Sequence, residues 1–312
     1  MAIKIITINN LKYKNTFISL KSFSLFVAVI ISFFATISNV LHAEDTPDNI
    51  SNKQLDSLYI SETEDVKGTL KILHAEPLYI DLIRDLGAKA GEKEWNFGFG
   101  LTDYGKYNKY NALVEYEFAP IDRLGFEIEV PLSIYTDISE DSTGMPSNKI
   151  ESLKLATQWT FHVNDKYNAS FAIGYINEFE FNGINSLKTR AITGNLFNPF
   201  LVAAKRWGDN FHSLIYTGPK VQLDYETQKL HTNYELHTSL HYLISGTRNF
   251  IGLETGQYLD GKNYDLVFRP QMRVGIADNL LIGIVSNIPI NKKDERFGTF
   301  FRLIWEPGHD EK

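Results

Sequence analysis

Trp95-Asn96-Phe97-Gly98-Phe99-Gly100-Leu101-Thr102 decides the fold. Apolar side chains take every second position and Asn, Gly or Thr the positions between, which is the period of a strand with one apolar face. The alternation returns with Tyr110, Ala112, Val114, Tyr116 and Phe118, then with Leu124, Phe126, Ile128, Val130 and Leu132. It continues through Leu153 to Val163, Phe171 to Tyr175, Tyr234 to Tyr242, Leu266 to Ile276, Leu280 to Ile288 and Phe297 to Trp305. Segments near 196 to 207, 211 to 222 and 250 to 257 bring the count to twelve with a less regular phase.

The connections carry as much information as the strands. Short turns at Pro120 to Arg123, Asn164 to Lys166, Gly208 to Asn210, Gly246 to Asn249 and Ala277 to Asn279 alternate with longer links. Short turns at one end, longer loops at the other and an even strand number describe a closed antiparallel transmembrane β-barrel. The expected architecture is all-β, with about 12 strands over 94–306, a tail at 307–312 and a short N-terminal amphipathic helix. Composition agrees. The 43% apolar content and mean hydropathy of −0.20 exclude both a disordered chain and a bundle of membrane helices. A 13% aromatic content exceeds the needs of a soluble core and suits a lipid-facing sheet.

Residues 1–43 hold four lysines and no acid, and Ser22 to Leu41 is an uncharged apolar run ending in Leu41-His42-Ala43. This is the pattern of an export signal with cleavage after Ala43. The remaining chain has 27 basic and 38 acidic residues, a net −11, and no cysteine. That excludes thiolate chemistry and argues against a nucleic-acid partner. Residues 44–75 are acidic and polar and read as a mobile periplasmic linker. In 76–93, Pro77 suits a helix start, Gly87 a helix end, and Leu78, Leu82, Ile83 and Leu86 share a helical face. Such a helix would plug the lumen, seal its rim or bind a partner.

All four tryptophans, Trp95, Trp159, Trp207 and Trp305, fall at the short-turn end, as an interface girdle requires. On the opposite, lumen-facing phase the sequence places an acidic wall of Glu115, Glu117, Glu127 and Glu129, with Glu115 expected opposite Glu127. A basic wall of Arg269, Arg273 and Arg302 is expected half a circumference away. Two such walls would set the ion preference of a pore, or pair across a small lumen and fill it.

A polar cluster of Glu235, His237, Ser239 and His241 shares one inward row. Read as a metal site it lacks donors from other elements, and read as a hydrolase its serine points away from lipid. Polar residues belong on the lumen face of any barrel. No catalytic residue, metal or cofactor is therefore assigned.

His74-Ala-Glu-Pro-Leu-Tyr-Ile-Asp-Leu-Ile-Arg-Asp-Leu-Gly87 with Gly91-Glu-Lys-Glu-Trp-Asn-Phe-Gly98 resembles a segment of a group of Gram-negative outer-membrane proteins. Their layout is similar to that of the transporters grouped with the phenol-degradation (MetA-pathway) outer-membrane family. The resemblance implies passage of small, often apolar or aromatic molecules, and carries no site residue. The expected protein is a non-enzymatic outer-membrane channel or passive transporter for small solutes. Its expected partners are outer-membrane lipid, the barrel-assembly machinery and the solute. A non-conducting structural or adhesion barrel and an outer-membrane lipid hydrolase are the alternatives.

Overall fold

The structure is a computed structural model that describes residues 51–64, 70–80, 82–138, 144–183, 191–290 and 295–308. The expected signal at 1–43 and most of the tail at 307–312 lie outside the described residues. The chain forms helix α1 (Asn52–Glu64) and strands β1 (Lys93–Asp103), β2 (Tyr107–Ile121), β3 (Leu124–Asp137), β4 (Lys149–Ile150), β5 (Ser152–Asn164) and β6 (Ala169–Phe181). It continues through β7 (Ile192–Trp207), β8 (Phe211–Asp224), β9 (Leu230–Leu243), β10 (Phe250–Asp260), β11 (Asn263–Ala277), β12 (Leu280–Pro289) and β13 (Phe297–Trp305).

Every long strand pairs antiparallel with its neighbours, and β1 pairs with both β2 and β13, so the sheet closes without a free edge. The two-residue β4 pairs with Leu132 and Ser133 of β3, leaving twelve long strands as expected. Side chains alternate across the wall. Phe99 is 56% exposed on the outer face while Glu115 on β2 is 1% exposed on the inner one. Among the described residues no helix is long and apolar enough to cross a membrane.

The β2–β3 hairpin corrects the expected register. Glu115 pairs with Glu129 and Glu117 with Glu127, rather than Glu115 with Glu127. A bulge between Phe118 and Ile121 moves the turn centre to Asp122-Arg123, and Arg123 takes a positive φ of 68° there.

Two expectations for the N-terminal region change. Within 44–75, read as a linker, Asn52–Glu64 is helical. Ser51 precedes it, and Gln54 supplies the returning half of a capping box, its Oε1 accepting from the Ser51 N–H and hydroxyl at 2.8 and 3.1 Å. The helix docks through buried Asp56, which accepts from Asn210 Nδ2, Ser245 Oγ and the Gly246 N–H at 3.0–3.2 Å. Glu64 adds a 2.9 Å ion pair to Arg206.

The helix expected over 76–86 does not form among the described residues. Residues 70–80 enter the barrel from the short-turn end, with their tip at Tyr79 and Ile80, and 82–88 return. Leu78, Ile80, Leu82, Ile83 and Leu86 are all buried, so their apolar groups are covered on every side and one helical face is not needed. The barrel wall replaces the helical hydrogen bonds. Leu78 N–H donates to Gln271 Oε1 (2.6 Å), Arg84 N–H to Glu117 Oε2 (2.5 Å) and Gly87 N–H to Thr160 Oγ1 (3.0 Å). Among the described residues two hydrophobic cores lie inside the barrel. Ile80, Leu82, Ile83 and Leu86 pack on β5–β8, and Leu73, Ala75 and Leu78 on β9–β13.

Candidate functional site

The inserted segment 70–88 divides the lumen. Toward the long loops lies a cavity of about 270 Å³ floored by Tyr79 and Ile80, and toward the short turns one of about 600 Å³. Ile80 and Arg302 line both, which marks them as the partition. Tyr79 is clasped there. The Arg269 guanidinium lies 3.8 Å from its ring centroid, and Phe300 packs edge-on at 5.9 Å.

The segment is braced within itself and against the wall. Lys71 Nζ meets Asp85 at 2.9 Å, and the Leu86 N–H donates to Glu76 Oε1 at 2.7 Å. Arg84 sits at a positive φ of 61°, held by its N–H on Glu117, its carbonyl under Gln158 Nε2 and its guanidinium on Glu94. Burial, and then the charge of Asp85, pushes the Glu76 carboxyl up to about 8. Burial, reinforced by His212 and Arg206, pulls the His74 imidazole down to about 3, and its Nε2 lies 2.9 Å from Ser170 Oγ.

The structure places Glu115, Glu117, Glu127 and Glu129 on one buried stretch of the inner wall, with Glu94 and Asn96 beside them. Register sets Glu94, Glu117 and Glu127 in one tier across β1–β3, and Asn96, Glu115 and Glu129 in the next, with Lys154 of β5 beyond Glu129. Asn96 Nδ2 donates to Glu94, Glu115 and Glu117 at 2.8, 2.7 and 3.2 Å. Lys154 Nζ stands 2.9 Å from both Glu127 and Glu129.

The basic wall is not a separate wall. Arg302 lies on β13, next to β1, and meets Glu115 at 3.4 Å instead of facing the glutamates across the lumen. Arg269 pairs with Glu254 at 2.7 Å, and Arg273 lies over the Phe250 ring at 4.7 Å with its Nε on the Arg248 carbonyl. These arginines find their partners along the wall and not across the lumen, whose space the inserted segment occupies.

The polar row on β9 divides. His237 lies between Glu254 (3.1 Å) and Glu235 (3.4 Å), and Lys220 pairs with Glu235 at 3.0 Å. Ser239 Oγ has no hydrogen-bond partner among the described residues, and both carboxylates that orient a histidine orient His237, two positions away from it. No nucleophile and base pair forms here. His241 stacks edge-on against Phe250 at 4.7 Å, apart from Glu235 and His237. Among the described residues, the group with donor atoms close enough for one metal ion is Glu115, Glu117 and Glu127.

The four tryptophans lie at the short-turn end, on the outward phase of their strands. Trp95 pairs with Trp305, Trp159 with Leu124 and Trp207 with Phe211, and Trp207 is 55% exposed. Sequence reasoning missed Glu254, Lys154, Lys220 and Asn96. Lys154 and Asn96 were legible as inward positions between outward ones. Glu254 was hidden because β10 carries apolar residues on both faces, Phe250 inward and Leu253 outward, which blurs the period of two.

Residues 70–306 match the family model described as HAEPLYID-like. The chain belongs to that family. The eight letters are the residues His74 to Asp81, which lead to the tip of the inserted segment. A search of curated proteins returns no significant match. Among solved structures, the chain is similar to the COG4313 outer membrane channel from Pseudomonas putida F1, with a TM-score of 0.54 and 10% identity over 73% of this chain and 99% of that one. The KdgM porin in complex with disordered oligogalacturonate aligns at TM-score 0.47 and 14% identity, over 68% of this chain and 98% of that one. The first of these likenesses shows the fold alone, a β-barrel of the outer-membrane kind.

Proposed function

We propose that this protein is an outer-membrane channel that passes small solutes through a lumen narrowed by the inserted segment 70–88. The observation that carries the reading is the pair of cavities, about 270 and 600 Å³, on either side of a single loop inside a closed barrel. A barrel built only as a scaffold has no need of a solvent-lined vestibule at each end. The outer cavity is smaller than a drug-sized pocket, which suits small solutes. Its lining mixes Tyr79, Tyr216, Tyr258 and Phe300 with Lys109, Lys220, Glu178 and Glu235, a surface for molecules that carry both a ring and polar groups. The resemblance of the layout to that of the transporters grouped with the phenol-degradation (MetA-pathway) family implies a partly aromatic substrate. In this reading the tryptophans anchor the short-turn rim in outer-membrane lipid, the signal delivers the chain to export, and the barrel-assembly machinery inserts it.

Planar-bilayer conductance of the purified protein and of a variant with residues 72–86 replaced by a Gly/Ser chain of equal length tests the reading. The native protein is expected to give small steps and the replacement steps several-fold larger. A replacement variant that still folds as a barrel, judged by far-UV circular dichroism, yet conducts no more than the native protein would sink it. The structural-scaffold alternative rests on the apolar packing of the segment and predicts that second result.

A further inference from the structure

The tiers Glu94-Glu117-Glu127 and Asn96-Glu115-Glu129 bring five carboxylates to one buried patch of the inner wall. Among the described residues three cations reach it: Arg84 on Glu94, Lys154 on Glu127 and Glu129, and Arg302 on Glu115. Five against three leaves two negative charges. Arg84 cannot cover them, because its guanidinium also serves Asp85 and Glu92 at 3.8 and 3.6 Å. Like charges directly opposed on paired strands are costly, and burial raises that cost.

A second observation comes from the polar atoms that nothing satisfies. Asn96 is 0% exposed, its amide sits between Glu94, Glu115 and Glu117, and its Oδ1 has no hydrogen-bond partner among the described residues. Glu115 Oε2, also buried, has no donor among the described residues. A buried amide oxygen without a donor is a cost that a cation removes. Oxygens of Glu115, Glu117 and Glu127 all lie within 4.8 Å of one another, the span that one ion with bonds of roughly 2.4 Å bridges.

We propose that this patch binds one hard divalent cation of the calcium type, with Glu115, Glu117 and Glu127 as ligands and the Asn96 amide oxygen beside them. The donor set is oxygen alone, which suits calcium or magnesium and not zinc or copper. A flexible set of side chains from three strands favours calcium, which tolerates irregular coordination, over magnesium, which demands a tight octahedron. The ion fixes more than the wall. Glu117 also accepts the Arg84 N–H at 2.5 Å, so the site ties the returning arm of the inserted segment to β2. The site stands whether or not the barrel conducts.

The test uses the purified full chain in detergent, stripped with a chelator and titrated with calcium chloride, followed by calorimetry and thermal unfolding. One saturable site per chain and an upward shift of the unfolding midpoint are expected, with magnesium giving a smaller shift. Glu117→Gln with Glu127→Gln removes two of the opposed charges, so this variant is expected to fold, and its calcium affinity should fall at least tenfold. Glu62→Gln, on the exposed face of α1, should bind as the native chain does. The proposal is overturned if calcium leaves the stripped protein unchanged while acidification stabilises it, which would mean that protons neutralise the patch. Binding that survives in the double variant overturns it too, by placing the ion elsewhere.

Discussion

Two clusters of ionisable side chains face the same lumen, and they differ in balance. On β8–β11, Glu235 and Glu254 are matched by Lys220 and Arg269, with His237 between the carboxylates. On β1–β3, five carboxylates share three cations. Both clusters are buried, both were assembled by strand register, and both border the inserted segment. The first is complete in itself, whereas the second depends on something taken from outside. A polar lumen wall is therefore not one kind of surface: what it does follows from the local sum of charge rather than from its polarity.

Removing one cation from each cluster gives the largest expected effects. Arg269→Met leaves Glu254 buried without its partner and also releases Tyr79, and should cost about 3–5 kcal/mol of stability. Lys154→Met should cost a similar amount in chelator but recover part of it when calcium is added, as Arg269→Met should not. Thermal unfolding in detergent, with and without calcium, checks both.

Neutralising one acid in each cluster should give effects of opposite sign. Glu254→Gln breaks a balanced pair and should destabilise by about 1–3 kcal/mol. Glu127→Gln in chelator relieves repulsion and should raise the unfolding midpoint. Equal losses for the two variants would mean that the β1–β3 patch is balanced after all.

His74 extends the comparison to the segment itself. Its folded value, near 3, lies below the ordinary imidazole range, so the neutral form is the docked one. The contribution to docking is whole above about pH 6.5 and is lost as the pH falls toward 3, at about 1.4 kcal/mol per pH unit. Conductance should rise between pH 6.5 and 4.5, and His74→Gln should flatten that slope. The smallest effect is expected outside both clusters. Gln54→Ala removes the oxygen that accepts from both the Ser51 N–H and its hydroxyl at a cost of about 1 kcal/mol, visible as faster amide exchange in α1 with the calcium response unchanged.

The barrel was legible because lipid and lumen impose opposite demands on successive residues, and rows such as Phe126-Ile128-Val130 record one of those demands directly. Legibility failed where the inner face is apolar too. Phe200, Val202, Leu214 and Tyr216 face inward against the segment, and it is this second apolar face that blurs the period on β7 and β8. The segment misled for a related reason. The spacing of Leu78, Leu82, Ile83 and Leu86 fits a helix, yet a chain enclosed by wall donors satisfies its backbone without one. The acidic wall was found from phase alone. Its pairing was not, because a bulge at Phe118–Ile121 shifts partners by two without leaving a mark on the alternation. Arg302 was assigned to the wrong side because closure makes the last strand a neighbour of the first, a relation that distance along the chain conceals.

The inserted segment begins and ends at the same rim, with α1 before it and β1 directly after it. It is a bight and not a thread: no chain end has to pass through the barrel for it to leave or return. Since it precedes every strand in the chain, closure of the β1–β13 seam wraps the wall around it, and the carboxylate patch sits on the strands beside that seam. The same segment that narrows the finished lumen is thus available as the mandrel on which the lumen is formed.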